Sequence, residues 1–169
     1  GCCENGVFAH DFESGLPSFF ALSATSANVK WQAVTGKQAK SGKGALWYGN
    51  LGSGTFDDNG ATHKGSVTSQ PVDLPQGETL EFAFQLWMDT EMGPPYDALE
   101  VKVNVVGGKS YKVWDKHTDK LPGGANAFSM QKWYAVVVNL SAFAGKKVTL
   151  EILFDTIDAL NNQFRGWYV

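Results

Sequence analysis

Apolar and polar positions alternate most cleanly in three stretches. In residues 79–88, Leu80, Phe82, Phe84 and Leu86 fall on one side and Glu81 and Gln85 on the other. In residues 99–105, Glu100, Lys102 and Asn104 take every second place, and in residues 147–154 Val148, Leu150, Ile152 and Phe154 alternate with Thr149 and Glu151. A period of two places one set on each face of a pleated strand. Shorter runs predict further strands at residues 7–12, 29–34, 45–48, 66–72, 110–114, 133–140 and 166–169. Turn chemistry separates them: Gly15-Leu16-Pro17, Pro75-Gln76-Gly77, the tight Gly107-Gly108 hairpin and the segment from Ser141 to Gly145. Residues 18–27, 49–65, 115–130 and 155–164 read as loops. No long stretch has the 3.6-residue period of an amphipathic helix. The pattern predicts an all-β protein, a two-sheet antiparallel sandwich with jelly-roll topology, over residues 7–169 as one domain after a flexible segment 1–6. An immunoglobulin-type sandwich would want a Cys-Trp-Cys framework, which the chain lacks.

Composition agrees. The 169 residues are 43% hydrophobic, 13% aromatic and 18% charged, with 19 glycines, so a sizeable core and many tight turns are both possible. The net charge is -3 and the lysines are scattered, which argues against nucleic acid as a partner. No apolar run is long enough to span a bilayer. Both cysteines are adjacent, Cys2-Cys3, so no long-range internal disulfide is available. The pair has three readings: an unstructured end, a covalent link to something outside the chain, or the lipid-bearing end of a bacterial lipoprotein.

Catalytic signals are weak. His10, His63 and His117 lie far apart without zinc-ligand spacing and read as solvated surface residues. No Gly-x-Ser-x-Gly elbow is present. Glycoside hydrolysis needs two carboxyl groups roughly 5–10 Å apart, and Glu81, Glu100 and Glu151 stand alone on separate strands. The expectation is a protein that is not an enzyme. Oxygen-rich loops are the stronger signal, because calcium takes about six to eight oxygens from carboxylates, amides and backbone. Without EF-hand spacing, a site would have to be assembled from several loops. The preferred set is Glu91, Asp97, Asp155 and Asp158, with Asp57 and Asp58 second. For a glycan, Trp114, Tyr111 and Tyr96 are the expected exposed rings, beside polar or proline-rich segments, while Trp31, Trp47, Trp87, Trp133 and Trp167 lie in strand patterns and read as core.

Several short motifs recur in a familiar order: Asp11-Phe12-Glu13-Ser14-Gly15-Leu16, Ala45-Leu46-Trp47-Tyr48-Gly49-Asn50, then residues 65–74, Tyr96-Asp97, Gly107-Gly108, Trp133, the Leu140 to Gly145 segment and Gly166-Trp167-Tyr168-Val169. The chain resembles, over nearly its whole length, the MAM-like jelly-roll modules of bacterial secreted and surface proteins, including those attached to immune inhibitor A-type metalloproteases. It differs in lacking the disulfides of full MAM domains and the Asp-Asp pair that commonly follows Gly-Trp-Tyr-Val. The resemblance implies a non-catalytic extracellular or cell-surface module of adhesion or scaffolding type, often with structural Ca2+, facing a glycan or protein surface. A polysaccharide-binding accessory domain and a glycan hydrolase or lyase are the alternatives.

Overall fold

Strands that alternate between apolar and polar side chains must bury one face, and here two sheets bury theirs against each other. The computed structural model describes residues 7–36, 38–121 and 131–169. Cys2 and Cys3, the segment 1–6 and most of the polar loop expected at 115–130 lie outside the described residues. The strands are β1 (Phe20–Ala24), β2 (Lys30–Thr35), β3 (Gly44–Gly49), β4 (Lys64–Ser69), β5 (Val72–Asp73), β6 (Glu81–Asp89), β7 (Ala98–Val105), β8 (Ser110–Asp115), β9 (Tyr134–Asn139), β10 (Lys147–Asp155) and β11 (Gly166–Tyr168).

One sheet runs β1-β4-β10-β7-β8, with β5 also paired to β10; the other runs β2-β3-β11-β6-β9. All pairings are antiparallel, and the chain passes repeatedly from sheet to sheet. This is the expected two-sheet jelly-roll sandwich. Val101, Val103, Val148, Leu150, Ile152 and Phe154 of the first sheet meet Trp31, Leu46, Tyr48, Phe84, Leu86 and Trp167 of the second in one apolar cluster. Each such side chain, fully enclosed, contributes about 1.5–3 kcal/mol. No helix among the described residues is long and apolar enough to cross a membrane.

Three details depart from the sequence pattern. Residues 7–12 form no strand, although Phe8 and Phe12 pack on the core. The segment expected as a loop at 18–27 instead contains β1, an edge strand paired only to β4. Its last four residues are exposed, so no alternation marks it. The strand expected at 66–72 is divided into β4 and β5, because Pro71 has no N–H to give to a ladder.

The second sheet is apolar on both sides. All six residues of β3 are buried. Leu46 and Tyr48 point between the sheets, while Ala45 and Trp47 join Trp87 and Tyr168 in a second cluster on the outer face, with Val34 and Trp133 against it. The register makes this cluster a stripe across the sheet, since Gln32 pairs with Trp47, Trp47 with Tyr168, and Tyr168 with Trp87. Directly opposed side chains on neighbouring strands interact strongly. Trp47 and Tyr168 stack with centroids 5.7 Å apart, and Tyr168 meets Trp87 edge-on at 5.3 Å. Gly49 lies under the Trp47 indole, where any Cβ would collide with the ring.

Candidate functional site

The loops after β6 and β10 bring the acidic residues of the preferred set to one end of the sandwich. Asp97 stands just before β7 and is fully buried, 0% exposed. Its Oδ2 accepts the Glu91 backbone N–H at 3.2 Å. Glu91 Oε1 accepts from Asn161 Nδ2 at 3.1 Å, and Asn162 Nδ2 bonds the Asp158 carbonyl at 3.4 Å. The remaining oxygens of these groups are the notable feature. Asp97 Oδ1, Glu91 Oε2 and Asn162 Oδ1 are enclosed and meet no hydrogen-bond partner among the described residues. Buried acceptors left in that state cost about 1–3 kcal/mol each.

Lys116 supplies positive charge beside them. It is buried, with its ammonium donating to Thr90 Oγ1 at 2.8 Å, to the Glu91 carbonyl and to the Tyr96 carbonyl at 3.2 Å. Its place follows from the strand before it: the Lys116 N–H bonds the Leu99 carbonyl at 3.1 Å, continuing the β8–β7 pairing past Asp115. Burial pushes the Asp97 carboxyl up, against the pull of Lys116 and the Glu91 N–H and with the repulsion of Glu91 and Asp158. Burial pushes the Lys116 ammonium down, against the attraction of Asp97 and Glu91. Glu91, Asp97, Asp158 and Lys116 together leave a surplus of negative charge at this end.

The other expected oxygen ligands already accept hydrogen bonds, Asp155 and Asp57 within local turns and Asp58 from a distant amide. Asp155 Oδ1 accepts the Ile157 N–H at 2.9 Å, Asp57 Oδ1 the Gly60 N–H at 3.0 Å, and Asp58 Oδ1 the Asn28 amide at 3.3 Å. Hydrogen bonds from Ser26 and then Asn28 hold the Asp58 carboxyl below its ordinary range. Among the described residues, no three His, Cys, Asp or Glu side chains converge to grip a metal ion. A cation here would be held by two carboxylates, an amide oxygen and backbone carbonyls, a donor mixture that suits calcium.

The expected aromatic trio does not form a platform. Trp114 is 4% exposed and belongs to the core, its ring 5.7 Å from Phe84 and 6.0 Å from Trp167. It precedes a polar loop but stands opposite Val101, whose side faces the core. Tyr111 is 43% exposed and packs on Phe143 at 5.4 Å. Tyr96 is half-buried, and its backbone carbonyl accepts from the Lys116 ammonium. The histidines also differ from expectation: His63 is buried and His117 partly so, and only His10 is exposed.

Trp47 and Trp87, read from the sequence as core, are buried as expected, in the second cluster rather than in the main one between the sheets. Beside them is a bowl of about 270 Å³. Val34, Gln38, Lys43, Leu51 and Arg165 are among the residues that line it, beside the enclosed Trp47 and Tyr168. The Arg165 guanidinium lies 5.0 Å over the Trp87 ring and donates to Gln38 Oε1 at 2.7 Å. The carbonyl of Arg165 accepts the Trp47 indole N–H at 2.6 Å.

No family model matches the chain, and no curated protein matches it in sequence. Among solved structures it is similar to the K1 cleaved adhesin domain of Lys-gingipain from Porphyromonas gingivalis W83, with a TM-score of 0.54 at 13% identity over 94% of each chain. It is also similar to the enzymatically active domain of tailspike protein 4 of bacteriophage CBA120, with a TM-score of 0.45 at 14% identity, over 89% of this chain and 18% of that one. The adhesin domain shares the sandwich fold.

Proposed function

We propose that this chain is a non-catalytic binding module of a bacterial secreted or surface protein, of the MAM-like kind, and that the loop end of its sandwich holds a calcium ion. The observation that carries the ion is the trio of enclosed, unpartnered oxygens on Glu91, Asp97 and Asn162. Glu91, Asp97 and Asn162 would bind the ion, and Asp158 would add negative charge beside them. The ion supplies charge that offsets buried carboxylates and ties the β6–β7 and β10–β11 loops together. Loops fixed on rigid sheet ends are the usual place for recognition. The adhesin fold of the gingipain domain supports a role in binding an extracellular glycan or protein surface. A covalent or lipid link through Cys2 or Cys3 would tether such a module.

Thermal unfolding in calcium and in chelator tests the ion. Calcium at 100 times its dissociation constant adds about 2.7 kcal/mol, which raises Tm by several degrees. Lys116→Met leaves Asp97 without its counter-charge, so in chelator it loses about 3 kcal/mol or more and calcium restores a larger share of its stability than in the parent. Identical melts with and without calcium in both proteins would remove the ion and leave Lys116 as the counter-charge. Arrays of glycans and extracellular proteins test the binding role: retention of a ligand without its conversion is expected, and turnover of the bound ligand would overturn the non-catalytic reading.

A further inference from the structure

We infer that the loop end of the sandwich is a docking surface for a cationic protein segment: the exposed tips Leu51, Met92, Ile157 and Leu160 form its apolar contact, and the carboxylates among them pair with the partner's lysines or arginines. This names the partner class for the binding-module reading and rests on it. The first observation is where exposed apolar side chains fall. Leu51 is 70% exposed, Leu160 68% and Met92 64%, the three highest values among the large apolar residues described, and Ile157 is exposed beside them. Single exposed apolar residues are ordinary, whereas a group of them in one place marks a contact surface. Leu51 follows β3, Met92 follows β6, and Ile157 and Leu160 follow β10. These three strands end together. Trp167 pairs with Tyr48 of β3 and Gly166 with Asp89 of β6. Tyr48 stacks on Phe154 of β10 across the sandwich at 4.5 Å, and the Asn161–Glu91 bond ties the loop of Leu160 to the loop of Met92.

The second observation is charge. The same loops carry Asp57, Asp58, Glu91 and Asp158, with Asp155 at the end of β10. Among the described residues, none of these five is in an ion pair. Lys116 is buried beneath them, and Lys64, opposite Asp155, stands at the flank. A calcium ion on Glu91 and Asp97 leaves the four aspartates to meet the partner. The third is shape. A depression of about 620 Å³ opens between the β3–β4 and β10–β11 loops, with Asp57, Asn59, Asn161, Gln163 and Phe164 in its lining and no Lys or Arg. A carboxylate with amide oxygens around it suits a lysine or arginine head, and Phe164 suits the stem. Ile157 adds a fourth. Its φ of +63° is a left-handed conformation that β-branched residues rarely adopt and that Gly or Asn takes at less cost, yet the sequence places an exposed isoleucine there. A glycan has no apolar side chains to cover these tips, and the carboxylates repel acidic sugars and anionic lipid headgroups. A protein segment that mixes apolar and cationic side chains matches both features.

The test is titration with a fluorescent peptide of alternating leucine and lysine, its leucine–glutamate counterpart and an oligolysine of equal charge, in calcium and in chelator. The leucine–lysine peptide is expected to bind most tightly, and added salt to weaken it. The double variant Leu51→Ser/Leu160→Ser is expected to raise Kd about tenfold, less than full burial of two leucines would give. Val106→Ser, at the opposite end of β7, is expected to leave Kd unchanged. All three side chains are exposed, so a thermal melt confirms that the variants fold. Equal Kd for the parent and the double variant would overturn the surface, as would equal binding of either control peptide or no binding of the leucine–lysine peptide at about 1 mM. Tighter binding to phosphatidylglycerol or phosphatidylcholine vesicles would overturn it too, by giving the tips to a membrane. Melts stabilised by calcium, with the double variant binding like the parent, would remove this surface and keep the ion. Tip-dependent binding with melts indifferent to calcium would remove the ion and keep the surface. A partner captured on arrays with the same affinity by the double variant would sink this surface while leaving the binding-module reading intact.

Discussion

Tyr48 Oη lies 2.8 Å from His63 Nδ1, and the Phe56 carbonyl oxygen lies 2.7 Å from His63 Nε2. A carbonyl only accepts, so Nε2 carries the proton, Nδ1 accepts, and the Tyr48 hydroxyl donates. The neutral ring therefore satisfies both contacts. Burial holds the imidazole below its ordinary value, against the raising effects of the Phe56 carbonyl, Asp58, Asp57 and Asp155. Burial likewise pushes the Tyr48 phenol up, with Asp155, Asp58 and Asp97 adding to it. The sign follows from proton binding. Below the unfolded value near 6.5, the unfolded chain binds more protons than the native one, so stability rises with pH. Native stability is thus complete above about pH 6.5 and declines as pH falls through the lower folded value. His63→Gln is expected to flatten this fall between about pH 6.5 and 5, at an ordinary substitution cost of about 1 kcal/mol at neutral pH. Urea midpoints measured across that range decide it, and parallel curves for the two proteins would refute the role of His63.

At the scale of the element, β4 shows how a small residue sets the contact between sheets. The Gly65 carbonyl accepts the Trp31 indole N–H at 3.1 Å. A Cβ on Gly65 would stand 2.7 Å from the Tyr48 ring and 3.1 Å from the Ser23 carbonyl. Gly65→Ala is therefore expected to cost about 1–3 kcal/mol through overpacking, read as a lowered urea midpoint with an unchanged slope; a neutral result would mean that the sheets can part without loss. The strands most legible in the sequence are those buried on one face only. β7 and β10 alternate because their outer residues meet half-open surroundings, as with Glu100, which pairs with Lys102 at 3.3 Å. β1 was illegible because an edge strand with four exposed residues has no core face to display. β3 was legible as a strand but not in its facing, since a run buried on both sides shows no period. The outer aromatic stripe was hidden for that reason. The acidic loops were visible as Glu91, Asp97 and Asp158. Lys116, in a polar segment, reads as solvated until the β7–β8 pairing carries it inward.

Over the whole molecule, the last strands in sequence occupy the middle of both sheets. β10 is central in the first sheet and β11 in the second. β11 has only three residues, yet it joins β3 to β6, and Val169 extends the seam by exchanging hydrogen bonds with Leu46 at 2.8 and 2.9 Å. Trp167 fills the space between the sheets against Trp31, Phe84 and Trp114, and Tyr168 completes the outer stripe. Neither sheet can close until nearly the whole chain is present, so long-range pairing dominates the fold. Deletion of residues 166–169 divides the second sheet into a β2–β3 pair and a β6–β9 pair. Isolated two-stranded ribbons are marginal in water, and the core loses its largest central side chain. The deletion is therefore expected to abolish cooperative thermal unfolding, whereas removing the edge strand β1 leaves both sheet centres in place and lowers Tm without abolishing the transition. Far-UV circular dichroism and tryptophan emission, followed together on heating, report on sheet pairing and on the aromatic core. A sharp, coincident transition in the 166–169 deletion would show that the two halves of the second sheet are held by the first sheet rather than by the seam between them.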